Sequence, residues 1–165
     1  MKTKLRLGAI VVLVLAVTGI TATSASSSRD KHRGDGHGVE VLHLVSTTVQ
    51  ESPEPTGPPA VGDQFAFSDD LFERGRKVGM LGGVGTFVRF DEATESAVVN
   101  LVLTAELRRG QLAMQGLVTF SDAGDDEFRL AITGGTGAYR TAHGEVFVSP
   151  TEDDDTVLAK VVIIR

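Results

Sequence analysis

Cysteine is absent from this 165-residue chain. No disulfide can therefore staple the fold, no lipoprotein anchor can be attached, and no thiolate is available to a metal. Basic residues are outnumbered, 16 Lys and Arg against 22 Asp and Glu. An acidic chain without a basic patch lacks the electrostatic footprint of nucleic-acid or anionic-membrane binding, which excludes those partners. There is no dinucleotide fingerprint, no phosphate loop with its Lys-Ser/Thr pair, and no repeating His/carboxylate spacing within the domain. The expectation is thus of neither organic cofactor nor metal. Convincing amphipathic helices are missing too, and only one apolar run approaches membrane-spanning length.

That run is at the start. Lys2, Lys4 and Arg6 precede an apolar stretch from Leu7 to Ile20, and small residues follow from Thr21 to Ser28. This order is that of a secretory signal peptide, here assigned to residues 1–25, with cleavage expected around Ala22 to Ala25. The run is shorter than the roughly 20 residues of a spanning helix, so no membrane attachment is expected after cleavage. The protein is read as secreted, and loss of the three leader cations makes the mature chain still more acidic. Residues 26–38 are Ser-, Gly-, His- and charge-rich without apolar periodicity, the pattern of a disordered linker. His32 and His37 lie there with Asp30 and Asp35, but no ligand spacing recurs.

Residues 39–165 read as strand after strand. Val39–Gln50, Gln64–Phe72, Lys77–Phe90, Ser96–Leu107, Gln111–Phe120, Glu127–Thr133, Thr141–Ser149 and Thr156–Arg165 are rich in β-formers and bounded by Gly, Asp, Asn or Pro. Eight strands with short links imply an all-β antiparallel barrel or sandwich. Ala97–Leu103 and Val157–Ile164 are apolar on both faces, so the outer row needs a cover, from a second sheet or from oligomerisation. The one long loop, Glu51–Gly62, holds four of the five prolines and is a candidate lid. The acidic run Glu152–Asp155 is a solvated hairpin tip without calcium-loop spacing.

The most distinctive segment is Ala131–Val148, AITGGTGAYRTAHGEVFV. Gly134, Gly135 and Gly137 demand a sharp connection where a backbone takes φ > 0 or another backbone approaches closely. This segment resembles the glycine turn of plant dirigent proteins and allene oxide cyclases. Val61–Gly85, VGDQFAFSDDLFERGRKVGMLGGVG, and Gly110–Gly116, GQLAMQG, are similar to two further motifs of that superfamily, in the same order. The resemblance implies an eight-stranded antiparallel β-barrel, a lumen that takes a hydrophobic or aromatic small molecule, and a trimer. It departs from the plant families at single residues. Asp69 stands where the cyclases have Asn, Gly85 where they have Cys, and no acid on the first strand before Glu51 matches theirs. The dirigent Arg of the turn is replaced within Ala142-His143-Gly144, and Leu44 or Val45 follows His43 where dirigent proteins have Asp. These departures count against authentic allene oxide cyclase activity.

Period-2 alternation places Phe65, Phe67, Asp69 and Leu71 on one face, so Asp69 is expected to be a carboxylate among apolar neighbours. Phe65, Phe67, Asp69, Phe87, Tyr139 and Arg140 are the expected ligand-binding residues. Asp69 and His143 are the candidate acid–base groups, because a buried carboxylate titrates high and an imidazole near neutrality. Three functions fit: a dirigent-like barrel that steers coupling or cyclisation, a non-catalytic binding module like a lipocalin, and a cofactor-independent isomerase or cyclase.

Overall fold

The computed structural model describes residues 38–52, 58–94, 96–121, 127–153 and 155–165. The leader and linker expectations, and the core of the proline-rich loop, lie outside the described residues.

Eight strands form a closed barrel in chain order. They are β1 (Val39–Glu51), β2 (Gln64–Glu73), β3 (Arg76–Asp91), β4 (Ser96–Leu107), β5 (Gly110–Phe120), β6 (Phe128–Gly135), β7 (His143–Pro150) and β8 (Thr156–Ile164). Each strand runs antiparallel to the next, and β8 closes on β1 with Val39 opposite Ile164 and Thr47 opposite Thr156. Closure removes both sheet edges, which settles the choice between barrel and sandwich.

Strand β4 shows why the sequence closes this way. Ala97, Val99, Leu101, Leu103, Ala105 and Leu107 are buried, while Val102, Thr104 and Glu106 between them are exposed. Leu112, Met114 and Val118 of β5 continue the same inner row, as do Leu130 and Ile132 of β6. These side chains fill the middle of the barrel with a packed core.

The two ends differ. At the lower end, a 3-10 turn at Gly137–Tyr139 follows β6 and carries Tyr139 into the interior. The Arg109 and Arg165 guanidinium carbons lie 5.6 Å and 5.5 Å from the Tyr139 ring centroid. Glu40 accepts from Arg109 at 3.0 Å and pairs with Arg165, so the cluster plugs the lower end. The glycines make the turn possible: Gly137 sits at φ +58°, and a Cβ on Gly135 would collide with the Gln111 carbonyl and with Tyr139.

At the upper end two bulges alter the alternation. The β1–β2 register shifts between Thr48 and Gln50, which sets Thr48 opposite Asp69 but Glu51 opposite Phe67. The β3–β4 register shifts between Phe87 and Arg89, which sets Phe90 opposite the buried Ala97. Both bulges return a residue to the inner face that strict alternation would turn outward.

Candidate ligand-binding site

The upper lumen is built on β2 and β3. Before β2, the Asp63 carboxylate accepts from the Ala60 N–H at 2.9 Å and holds a tight turn. The Phe87 N–H donates to the Asp63 carbonyl at 2.9 Å, and the Gly62 N–H donates to the Phe87 carbonyl at 2.8 Å. The VGD motif therefore extends the ladder and anchors Phe87, which is 1% exposed.

Phe65 and Phe67 stack with ring centroids 6.2 Å apart and an interplanar angle of 23°. Phe87 tilts against Phe65 at 5.7 Å. The adjoining strand β3 carries Gly83 and Gly85 directly opposite Phe67 and Phe65 in the ladder, where a Cβ would strike those rings. Glycine there lets both rings lie against the wall of the barrel.

Across the lumen, Phe120 and Phe128 form an edge-on pair at 6.3 Å. Their partners in the ladders, Ala97 and Val148, are buried, so both rings share the inner face. With Phe90, six of the chain's eight phenylalanines collect in the upper lumen.

Asp69 follows Phe65 and Phe67 on the inner face of β2 and is 6% exposed. The Ser46 hydroxyl donates to its Oδ2 at 2.7 Å, while Oδ1 is buried without a hydrogen-bond partner. Burial raises the Asp69 pKa above its ordinary 3.8. The Ser46 hydroxyl and, less strongly, the Thr48 hydroxyl pull against that rise, and the neighbouring charge of Asp70 adds to it. Asp70 itself points the other way and pairs with Lys77 at 2.6 Å.

Phe65, Phe67, Asp69 and Phe87 are thus brought together. Tyr139, Arg140 and His143 are not. Tyr139 is buried in the plug at the opposite end, and Arg140 is exposed at the end of the 3-10 turn. His143 is exposed on the outer face opposite Ile164, with its Nδ1 3.4 Å from the Thr141 carbonyl. The physical reason is that the turn closes the lower end of the barrel with Tyr139, and alternation from the buried Ala142 turns His143 outward. No acid–base pair of Asp69 and His143 is assembled. Among the described residues no group of three or more His, Asp or Glu is placed to hold a metal ion.

Sequence reasoning missed Ser46, Phe90, Phe120, Phe128 and the inward register of Glu51. Alternation in LAMQGLVTF, with Leu112, Met114 and Val118 on one face, carried the signal for Phe120. Nothing local announced the bulge that turns Glu51.

A separate groove of about 530 Å³ lies toward the outside of β7, β8 and β1, with His43, Val45, Phe147, Leu158 and Lys160 among its lining. There Arg129 and Lys160 approach the Phe147 ring at 4.7 Å and 5.6 Å.

A model of the allene oxide cyclase barrel-like domain matches residues 43–163. The chain belongs to the allene oxide cyclase barrel-like family. Among solved structures, this family member is similar to a pyocyanin demethylase at 29% identity and TM-score 0.62, covering 74% of this chain and 99% of that one. It is similar to an exo-specific intermolecular Diels–Alderase at 18% identity and TM-score 0.64, covering 79% and 99%. It is also similar to a pterocarpan synthase dirigent protein at 20% identity and TM-score 0.59, covering 78% and 96%. The last two likenesses are of fold alone. No curated protein sequence matches significantly.

Proposed function

We propose that this family member is an exported, dirigent-like barrel. It binds a hydrophobic or aromatic small molecule in its upper lumen and steers that molecule's coupling or cyclisation. The observation that carries this reading is that six phenylalanines and one buried carboxylate share the inner face toward one end of the barrel. Such a site positions a ligand and excludes water, which is how a barrel with few reactive groups promotes a coupling or cyclisation. The names of the similar structures, a demethylase of pyocyanin, a Diels–Alderase and a pterocarpan synthase dirigent protein, support a small-molecule role. Export is supported by the leader sequence. Among the described residues no helix is long and apolar enough to cross a membrane.

Phe65, Phe67, Phe87 and Asp69 hold the ligand, and Asp69 is the buried candidate for proton transfer there among the described residues. An isomerase needs a second group beside it, and His143 faces away.

Assembly as a homo-oligomer, a trimer by resemblance, fits the outer face. Val84, Val102 and Leu117 on β3, β4 and β5 are 40%, 50% and 66% exposed, and Val84 lies directly opposite Val102. Burying that strip against another copy removes it from water.

Mass spectrometry of protein purified from culture medium tests the reading. It should begin near Ala25 and release an aromatic small molecule on denaturation. An intact Met1, together with no aromatic compound bound or taken up, would contradict it.

A further inference from the structure

The buried charge of the upper lumen is a single carboxylate, Asp69, the one buried acidic residue among those described. Among the described residues no Lys, Arg or His shares that part of the inner face. Arg89 and Lys160 lie on exposed outer positions, and Arg109 and Arg165 are held by Glu40 in the lower plug.

Resting on the reading just given, we propose that the site selects aromatic ligands bearing a positive charge, and rejects anionic ones. Asp69 is the ligand's counter-ion.

Three observations converge on this selectivity. The Asp69 Oδ1 is buried and has no hydrogen bond of good geometry, with the Thr48 hydroxyl favouring the charged form less than Ser46 does, an arrangement costly for an ionised oxygen until a stronger donor arrives. The phenylalanine rings of the upper lumen carry negative π-faces, which attract cations and repel anions. The groups packed against Asp69 supply no competing positive charge. From β1 these are Ser46 and Thr48, and from β3 Leu81 lies opposite. Asp155, whose carbonyl accepts from the Thr48 N–H, is itself exposed. Asp70 on the same strand faces outward to Lys77.

A proton linkage follows. A cation binds the ionised carboxylate, so its binding releases the Asp69 proton, and its affinity rises with pH until Asp69 is ionised in the free protein. A neutral ligand of the same shape lacks that dependence.

Three acridines of one ring system separate the possibilities: N-methylacridinium, neutral acridine, and acridine-9-carboxylate, titrated into the full exported protein at slightly alkaline pH. The expected result is about tenfold or more tighter binding of the cation than of the anion. Asp69→Asn should bring the two within about threefold. Asp70→Asn, on the outer face, should leave the preference in place, and thermal melts confirm that both variants are folded. Neutral acridine binding with the anion equal to or tighter than the cation would overturn the charge selection and leave the aromatic site standing. Failure of all three to bind would overturn both readings.

Discussion

Ser46 donates its hydroxyl to Asp69 Oδ2 at 2.7 Å across the β1–β2 pair, and the other carboxylate oxygen has no hydrogen-bond partner. Ser46 lies opposite Leu71 in the ladder, so it reaches Asp69 diagonally on the inner face. This half-satisfied carboxylate is the one buried acidic residue of the described core.

Asp69→Asn should raise the melting temperature at neutral pH. Burial holds the folded-state pKa above 3.8, so the folded protein binds this proton more tightly than the unfolded chain does. The associated stability is fully present below pH 3.8 and is lost as pH rises to the folded value. Above that, the carboxylate costs about 1 kcal/mol or more relative to a neutral amide. Melting curves over a pH series should show the variant's advantage fading in acid. An equal advantage at every pH would point to a cause other than ionisation.

Ser46→Ala should push the Asp69 pKa still higher, because it removes the leading interaction that lowers it. Loss of the hydrogen bond to a buried carboxylate should also cost about 1–3 kcal/mol at neutral pH. Carbon-detected NMR titration of the Asp69 carboxyl measures the shift directly. An unchanged or lowered pKa would show that the hydroxyl does not stabilise the charge.

Gly137→Val should destabilise the fold by about 1–3 kcal/mol. The backbone there is left-handed, and a Cβ would press on the Arg109 carbonyl at 2.5 Å. Since Ala138 N–H donates to that same carbonyl, strain should spread to the Tyr139 plug. Denaturant unfolding provides the measurement, and parental stability would remove the turn from its place under the barrel.

Leu117→Asp should shift the protein toward monomer. Leu117 is the most exposed apolar residue of the outer strip and lies opposite Asn100 beside Val102. Light scattering after size exclusion should show an oligomer for the parent chain and a smaller species for the variant. A monomeric parent would mean that this strip is not covered by another copy.

Much of the barrel is legible in the sequence. Ser96–Leu107 has the same bounds in both readings because its alternation is unbroken from Ala97 to Leu107. The inward face of Phe65, Phe67 and Asp69 follows from the same rule. Legibility fails at bulges and ends. The extra residue near Val49 leaves no local mark in VSTTVQE, yet it decides which way Glu51 faces. The glycine cluster announces a turn but not which end of the barrel it closes. Tyr139, Arg140 and His143 read as lumen residues only until the 3-10 turn carries them to the plug and the outside.

The aromatic mouth, not the outer groove, is the proposed ligand site. Six phenylalanines line the upper lumen, whereas Phe72 and Phe147 lie outside it. The direct measurement is isotope-edited NOE spectroscopy with phenylalanine-labelled protein and neutral acridine. Contacts from acridine protons to the rings of Phe65 and Phe67, lost in Phe67→Ala, are the predicted result. Contacts to Phe147 alone would contradict the account.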